Sequence, residues 1–154
     1  MKIILITQNE PFYLAKNINY LLNKLDKRIE VNACVLFDVS PFGKKESFVK
    51  KFLKTNKIFG LKFTFYYSIK FIKSILFDKS IKSVLKKNNI KIIKLKKNIN
   101  HPESINIIKN FSPDLLVSIL GNQIFKNNII KLAPKGCINL HTALLPKYRG
   151  LMPT

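Results

Sequence analysis

Residues 2–7, Lys-Ile-Ile-Leu-Ile-Thr, form a short unbroken apolar run rich in β-branched side chains. A run of that length, apolar without alternation, predicts a strand buried on both faces. From Pro11 the pattern changes. Leu14, Ile18, Leu21, Leu22 and Leu25 recur at helical spacing, and the helix is expected to close near Asp26. A second apolar run, 31–38, reads as another buried strand, and the Ser-Pro-Phe-Gly-Lys-Lys stretch at 40–45 reads as a turn leaving it. Two lysine-rich helical segments are predicted next, roughly 45–57 and 61–87. They are followed by a strand at 90–95, a short helix at 101–111 with Pro102 in its first turn, and the clearest strand of the chain at 114–120. A helix over 123–133, stopped by Pro134, and a last strand over 136–142 complete the pattern.

Strands and helices therefore alternate, and the strands lack a polar face. This predicts an α/β domain, doubly wound, with a mostly parallel sheet covered by helices on both faces. The whole chain, 1–154, is expected to be one such domain. The turn after the first strand, Thr-Gln-Asn-Glu-Pro-Phe, contains no glycine, which argues against a dinucleotide held by a glycine-rich loop.

Composition changes this picture little. The net charge of +20 would ordinarily suggest a polyanionic partner. The lysines, however, are spread from Lys2 to Lys147 among many Ile and Asn residues, and the arginines are only Arg28 and Arg149. That distribution reads as compositional bias, and leaves nucleic-acid binding a minor alternative. Cys34 and Cys137 lie far apart in apolar stretches without metal-ligand spacing, so reduced core thiols are expected and no metal site. The first apolar run is too short for a signal peptide and is followed by Glu10, which suggests a cytoplasmic protein.

Residues 58–77 approach the length of a membrane span, but Lys62, Lys70 and Lys73 interrupt them. Each such charge at mid-bilayer costs roughly 2.5–3.5 kcal/mol. The expectation is a helix packed on the sheet, with a helix lying on a membrane surface as the alternative.

Candidate chemistry lies at the last strand. In a doubly wound sheet, ligands bind beyond the carboxyl ends of the strands. Asn139 and His141, two apart, would project from one face where the strand gives way to a loop. A carboxamide N–H can donate to a developing oxyanion, and an imidazole can move a proton near neutral pH, a pairing suited to acyl-type transfer. Taken alone, an Asn-x-His pair favours the plainer alternative of a strand-end cap and an inert histidine.

The residues around the pair shift that balance. The stretch Pro-Lys-Gly-Cys-Ile-Asn-Leu-His-Thr-Ala-Leu-Leu-Pro-Lys-Tyr-Arg-Gly-Leu-Met-Pro resembles the signature of the folate-dependent formyltransferases. Gly136, Ile138, Asn139, His141, Leu144, Leu145, Pro146, Tyr148, Gly150 and Pro153 fall at its matching positions. The resemblance extends back through 112–125 to the opening strand and is weak between 40 and 95. It implies a Rossmann-like formyltransferase fold and transfer of a formyl group from 10-formyltetrahydrofolate to an amine, either an amino sugar (nucleotide-linked) or an aminoacyl group on tRNA. Asn139 would match the asparagine that holds the formyl oxygen, and His141 the histidine that handles the proton. Asn122, Gln123, Ile124 and Phe125 would match the segment whose backbone contacts the pterin.

Three departures accompany the match. Thr142 and Ala143 stand where the family has Pro and Ser, and the 7–12 loop lacks the glycines with which the ribonucleotide enzymes hold a phosphate. The family's catalytic aspartate would fall beyond residue 154. The resemblance therefore implies the amino-terminal part of an enzyme, inactive by itself. A fragment that binds folate or a partner without catalysis is the alternative.

Overall fold

A computed structural model describes residues 1–38, 47–76, 80–141 and 147. Five strands, β1 (Lys2–Gln8), β2 (Glu30–Phe37), β3 (Lys91–Ile93), β4 (Leu115–Ile119) and β5 (Cys137–Leu140), form one sheet in the order β3-β2-β1-β4-β5. Every pairing is parallel. The chain thus winds outward from β1 through β2 to β3, then returns to place β4 on the other side of β1. The gap between β1 and β4 is the topological switch point.

Each face of the sheet has its own core. On one, Ile4, Ile6, Val35 and Leu116 pack with Ile108 of α4 (Pro102–Lys109) and Ile129 of α5 (Asn127–Ile130). On the other, Leu5, Cys34 and Leu36 pack with Leu14 and Ile18 of α1 (Leu14–Lys24) and with Ile81 and Leu85 of α3 (Ile81–Lys87). Fully burying an aliphatic side chain of this size contributes roughly 1.5–3 kcal/mol, so these two layers dominate stability. Both faces are covered, as the unalternating strands require.

The helix ends explain where the predicted boundaries moved. Ser80 caps α3 by accepting from the Ser83 N–H at 3.2 Å, so the single helix expected over 61–87 ends and restarts. His101 caps α4 through Nδ1, which accepts from the Glu103 N–H at 3.3 Å, with Pro102 following it. The helix expected over 123–133 contracts to α5, because 122–126 is held as a loop by side chains from elsewhere. The predicted turn at 40–45 lies outside the described residues.

The larger difference is α2 (Phe48–Leu76), broken at Gly60, where φ is 80°. It does not cover the sheet, contrary to the expectation for 58–77, because α3 already supplies that layer. Tyr67 and Lys70 tie α2 to the domain. The Tyr67 ring meets Phe12 edge-on at 5.2 Å, its hydroxyl lies 3.4 Å from that of Tyr13, and Lys70 Nζ sits 3.8 Å from the centre of the Tyr13 ring. Among the described residues, no helix is long and apolar enough to cross a membrane.

Candidate functional site

The switch point is closed at its carboxyl end by polar contacts. Thr7, fully buried at the end of β1, donates its hydroxyl to the Ile119 carbonyl of β4 at 2.7 Å. Asn122, just past β4, reaches over β1 to the loop after β2, where its Nδ2 donates to the Asp38 carbonyl at 2.9 Å. The Asn9 N–H donates to the Phe37 carbonyl at 2.8 Å. Three strand ends are thereby tied into one rim.

The turn after β4 is tight. Leu120 adopts φ 54°, the left-handed region that costs a non-glycine residue about 1–2 kcal/mol. At Gly121 a methyl group would stand 2.7 Å from Ser118 Oγ and 3.8 Å from the Phe125 ring. A side chain there would force Ser118 out of its rotamer or lift the turn. Ser118 is itself the register partner of Asn139 on β5. In parallel pairing such partners project from the same face, the one shared with Ile4 and Leu116. The 121–125 turn and Asn139 are therefore neighbours above Ser118, on one face and at one end of the sheet. Asn139 is exposed, and His141, immediately beyond β5, is half-buried. Asn139 lies at the end of β5 and His141 one residue past it, on the same edge of the sheet as the 121–125 turn.

Within that segment the four residues behave differently. Gln123 faces inward, its Oε1 accepting from the Ile99 N–H at 2.8 Å. Phe125 packs against the core, whereas Ile124 is largely exposed. The segment is fixed by Asn100. Its Nδ2 donates to the Ile124 carbonyl at 2.8 Å, its Oδ1 accepts from the Lys126 N–H at 2.7 Å, and its carbonyl accepts from Asn128 Nδ2 at 3.0 Å. Asn98 Oδ1 in turn accepts from both the N–H and the Nδ2 of Asn100, at 2.9 and 2.8 Å. None of Ser118, Gly121, Asn98 or Asn100 stood out in the sequence. A glycine directly after the clearest strand was the one available signal.

The 7–12 loop, without its glycines, has an internal anion. The Glu10 carboxylate accepts from the N–H groups of Phe12, Tyr13 and Leu14 at 2.7, 2.8 and 2.9 Å. These donors at the start of α1 are the ones a phosphate would use, and Glu10 satisfies them and the helix dipole already. The thiols are also turned away from chemistry. Burial pushes Cys34 up to about 12 and raises half-buried Cys137 as well, which keeps both in the unreactive protonated form.

A parallel, doubly wound sheet whose carboxyl edge carries an amide, an imidazole and a tight glycine-bearing turn is an α/β domain of the kind that holds a small ligand over its strand ends. A family model described as "Formyl transferase" matches residues 73–154, more than half of the chain, and the chain belongs to that family. It is similar to the methionyl-tRNA formyltransferase of Borreliella burgdorferi strain ZS7, 47% identical over 49 residues that make up 32% of this chain and 16% of the relative. The methionyl-tRNA formyltransferase of Clostridium perfringens strain SM101 is 43% identical over 54 residues, 35% of this chain and 18% of the relative. That of Clostridium tetani is 42% identical over 73 residues, 47% and 24%. The alignments thus span less than a quarter of each relative's length.

Proposed function

We propose that this chain supplies the oxyanion-binding and proton-handling half of a site that transfers a formyl group from 10-formyltetrahydrofolate to an amine. The observation behind it is that exposed Asn139 and half-buried His141 share the carboxyl end of β5 with the Gly121–Phe125 turn. The arrangement suits the donor. An exposed carboxamide can meet the formyl oxygen, beside a turn that Gly121 seats against Ser118. The folate supplies an activated N-formyl group, and the acceptor nitrogen forms its bond to the formyl carbon as the bond to the folate nitrogen breaks.

Asn139 donates through Nδ2–H to the formyl oxygen, where negative charge develops, and so stabilises the transition state more than the ground state. His141 takes the proton that the acceptor nitrogen releases and can return it to the departing folate nitrogen. Gln123 and Asn100 hold the neighbouring turn in the conformation that contacts the pterin. Of the two acceptor classes, aminoacyl-tRNA is favoured, because the relatives are methionyl-tRNA formyltransferases. Glu10 argues against an acceptor anchored by a phosphate at the start of α1.

The test uses the chain carried to the length of these relatives. Asn139→Ala should lower kcat by about 10²–10³-fold with little change in donor KM. His141→Ala should lower it by about 10²–10⁴-fold and remove a limb from the pH–rate profile. Near-normal turnover in both variants, at unchanged melting temperature, would refute the proposal.

A further inference from the structure

The second half of α2, residues 61–76, is apolar nearly all round, and a helix of that kind is one buried on all sides. Among the described residues, the side bearing Tyr67 packs against Phe12 and Tyr13. At about 100° per residue, Tyr67, Phe71 and Thr64 fall on the side turned toward Phe12 and Tyr13. Leu61, Phe65, Ile69, Ile72, Ile75 and Leu76 lie within an arc about 120° wide that starts beside Thr64 and is interrupted by Ser68, whose hydroxyl donates to the Thr64 carbonyl of the same helix. Every one of these apolar residues is exposed, Leu61, Phe65 and Leu76 to 71%, 69% and 73%. Lys62 and Lys73 lie along one margin of the stripe with Tyr66 beside them. Across all of α2 there are seven lysines and no acidic residue.

We propose that this helix lies flat on an anionic lipid surface, its stripe sunk to the headgroup boundary and its marginal lysines reaching back to the phosphates. The charge identifies the occupant. A broad apolar arc bordered by cations, with no carboxylate on the helix, complements a surface that is negative outside and hydrocarbon within. A nucleic acid would satisfy the lysines and leave six large apolar side chains in water. Lysine stems cover apolar surface while their heads stay hydrated, so Lys62 and Lys73 suit a helix on the membrane and oppose one through it. The contacts of Tyr67 and Lys70 with Phe12 and Tyr13 fix which side faces outward.

The test is co-sedimentation of the purified protein with vesicles of phosphatidylcholine containing one third phosphatidylglycerol, and with phosphatidylcholine alone. Binding is expected only to the anionic vesicles. It should be abolished by the pair Phe65→Ser and Ile72→Ser, and weakened about 30-fold by Lys62→Gln with Lys73→Gln. The chain has no tryptophan, so Phe65→Trp gives a single indole reporter whose emission should shift to the blue on those vesicles. Indole emission left unchanged by the anionic vesicles overturns the proposal. So does vesicle binding that survives the serine pair, or a protein that ignores vesicles and binds RNA or a second copy of itself through the stripe.

Discussion

Replacing Gly121 by alanine tests whether the turn after β4 is as tightly seated as the geometry shows. The new methyl carbon would stand 2.7 Å from Ser118 Oγ, well inside ordinary contact, and 3.8 Å from the Phe125 ring. Ser118 is almost fully buried and cannot swing away into solvent, so the turn must lift or the serine must leave its rotamer. Overpacking of this kind costs about 1–3 kcal/mol. For a domain of this size that lowers the melting temperature by about 2–12 °C. Removing the obstacle should restore it, because Ser118→Ala deletes Oγ and leaves a carbon 4.0 Å from the new methyl. The assay is a double-mutant cycle by urea denaturation on Gly121→Ala, Ser118→Ala and the pair. A coupling of at least about 1 kcal/mol in favour of the pair is expected. Losses that add to within about 0.5 kcal/mol would show that the turn does not rest on Ser118, and would separate it from Asn139.

Asn100→Ala removes the bonds to Ile124 and Lys126 and should destabilise the protein by about 1–3 kcal/mol, with hydrogen exchange at the Lys126 amide rising more than at β1 amides. Thr7→Val keeps the shape but leaves the Ile119 carbonyl without its donor. A loss of about 1–3 kcal/mol in chemical denaturation is expected, and no loss would show the contact to be inconsequential. Glu10→Ala strips the acceptor from three amides at the start of α1 and should cost about 0.5–2 kcal/mol, read as a lower melting temperature. The raised Cys34 thiol sets an alkaline limit. Between its unfolded value and about 12 the native state keeps a proton that the unfolded state releases, so stability falls as pH rises through that window. Cys34→Ala should flatten this fall, and an unaltered pH slope would contradict it.

The parts of the fold legible in the sequence were those encoded by local periodicity. Unbroken apolar runs marked β1, β2 and β4, and their lack of alternation implied parallel neighbours covered on both faces. The apolar run before them placed Asn139 in the last strand and His141 at its end. What sequence could not show depends on side chains bonding to distant backbone. The Asn100 contacts with 124–128 span more than twenty residues, and they turn an apparently helical 123–133 into a loop followed by four helical residues. The stand-off of α2 was hidden for a related reason. Its apolar character pointed to a covering helix, but which helix would cover the sheet depended on α3 occupying that place first. Glu10 was visible as a residue, though its use as the cap of α1 rests on a turn that no periodicity describes.

The bond from Thr7 to Ile119 joins residues 112 apart, and this sets an order of events during synthesis. β1 emerges first and can pair with β2 within some thirty residues, but its other edge has no partner until β4 has been made. At ribosomal rates of roughly 5–20 residues per second that interval is roughly 6–20 s. For that time a central strand of the finished sheet is an edge strand, apolar and unpaired, in a nascent chain open to wrong pairings. The half-sheet of β1, β2 and β3 must therefore wait for β4, and then for β5, which bears Asn139. A mutation that weakens the β1–β4 seam would show itself first as poor yield or aggregation during expression, before any change in the chemistry could be measured.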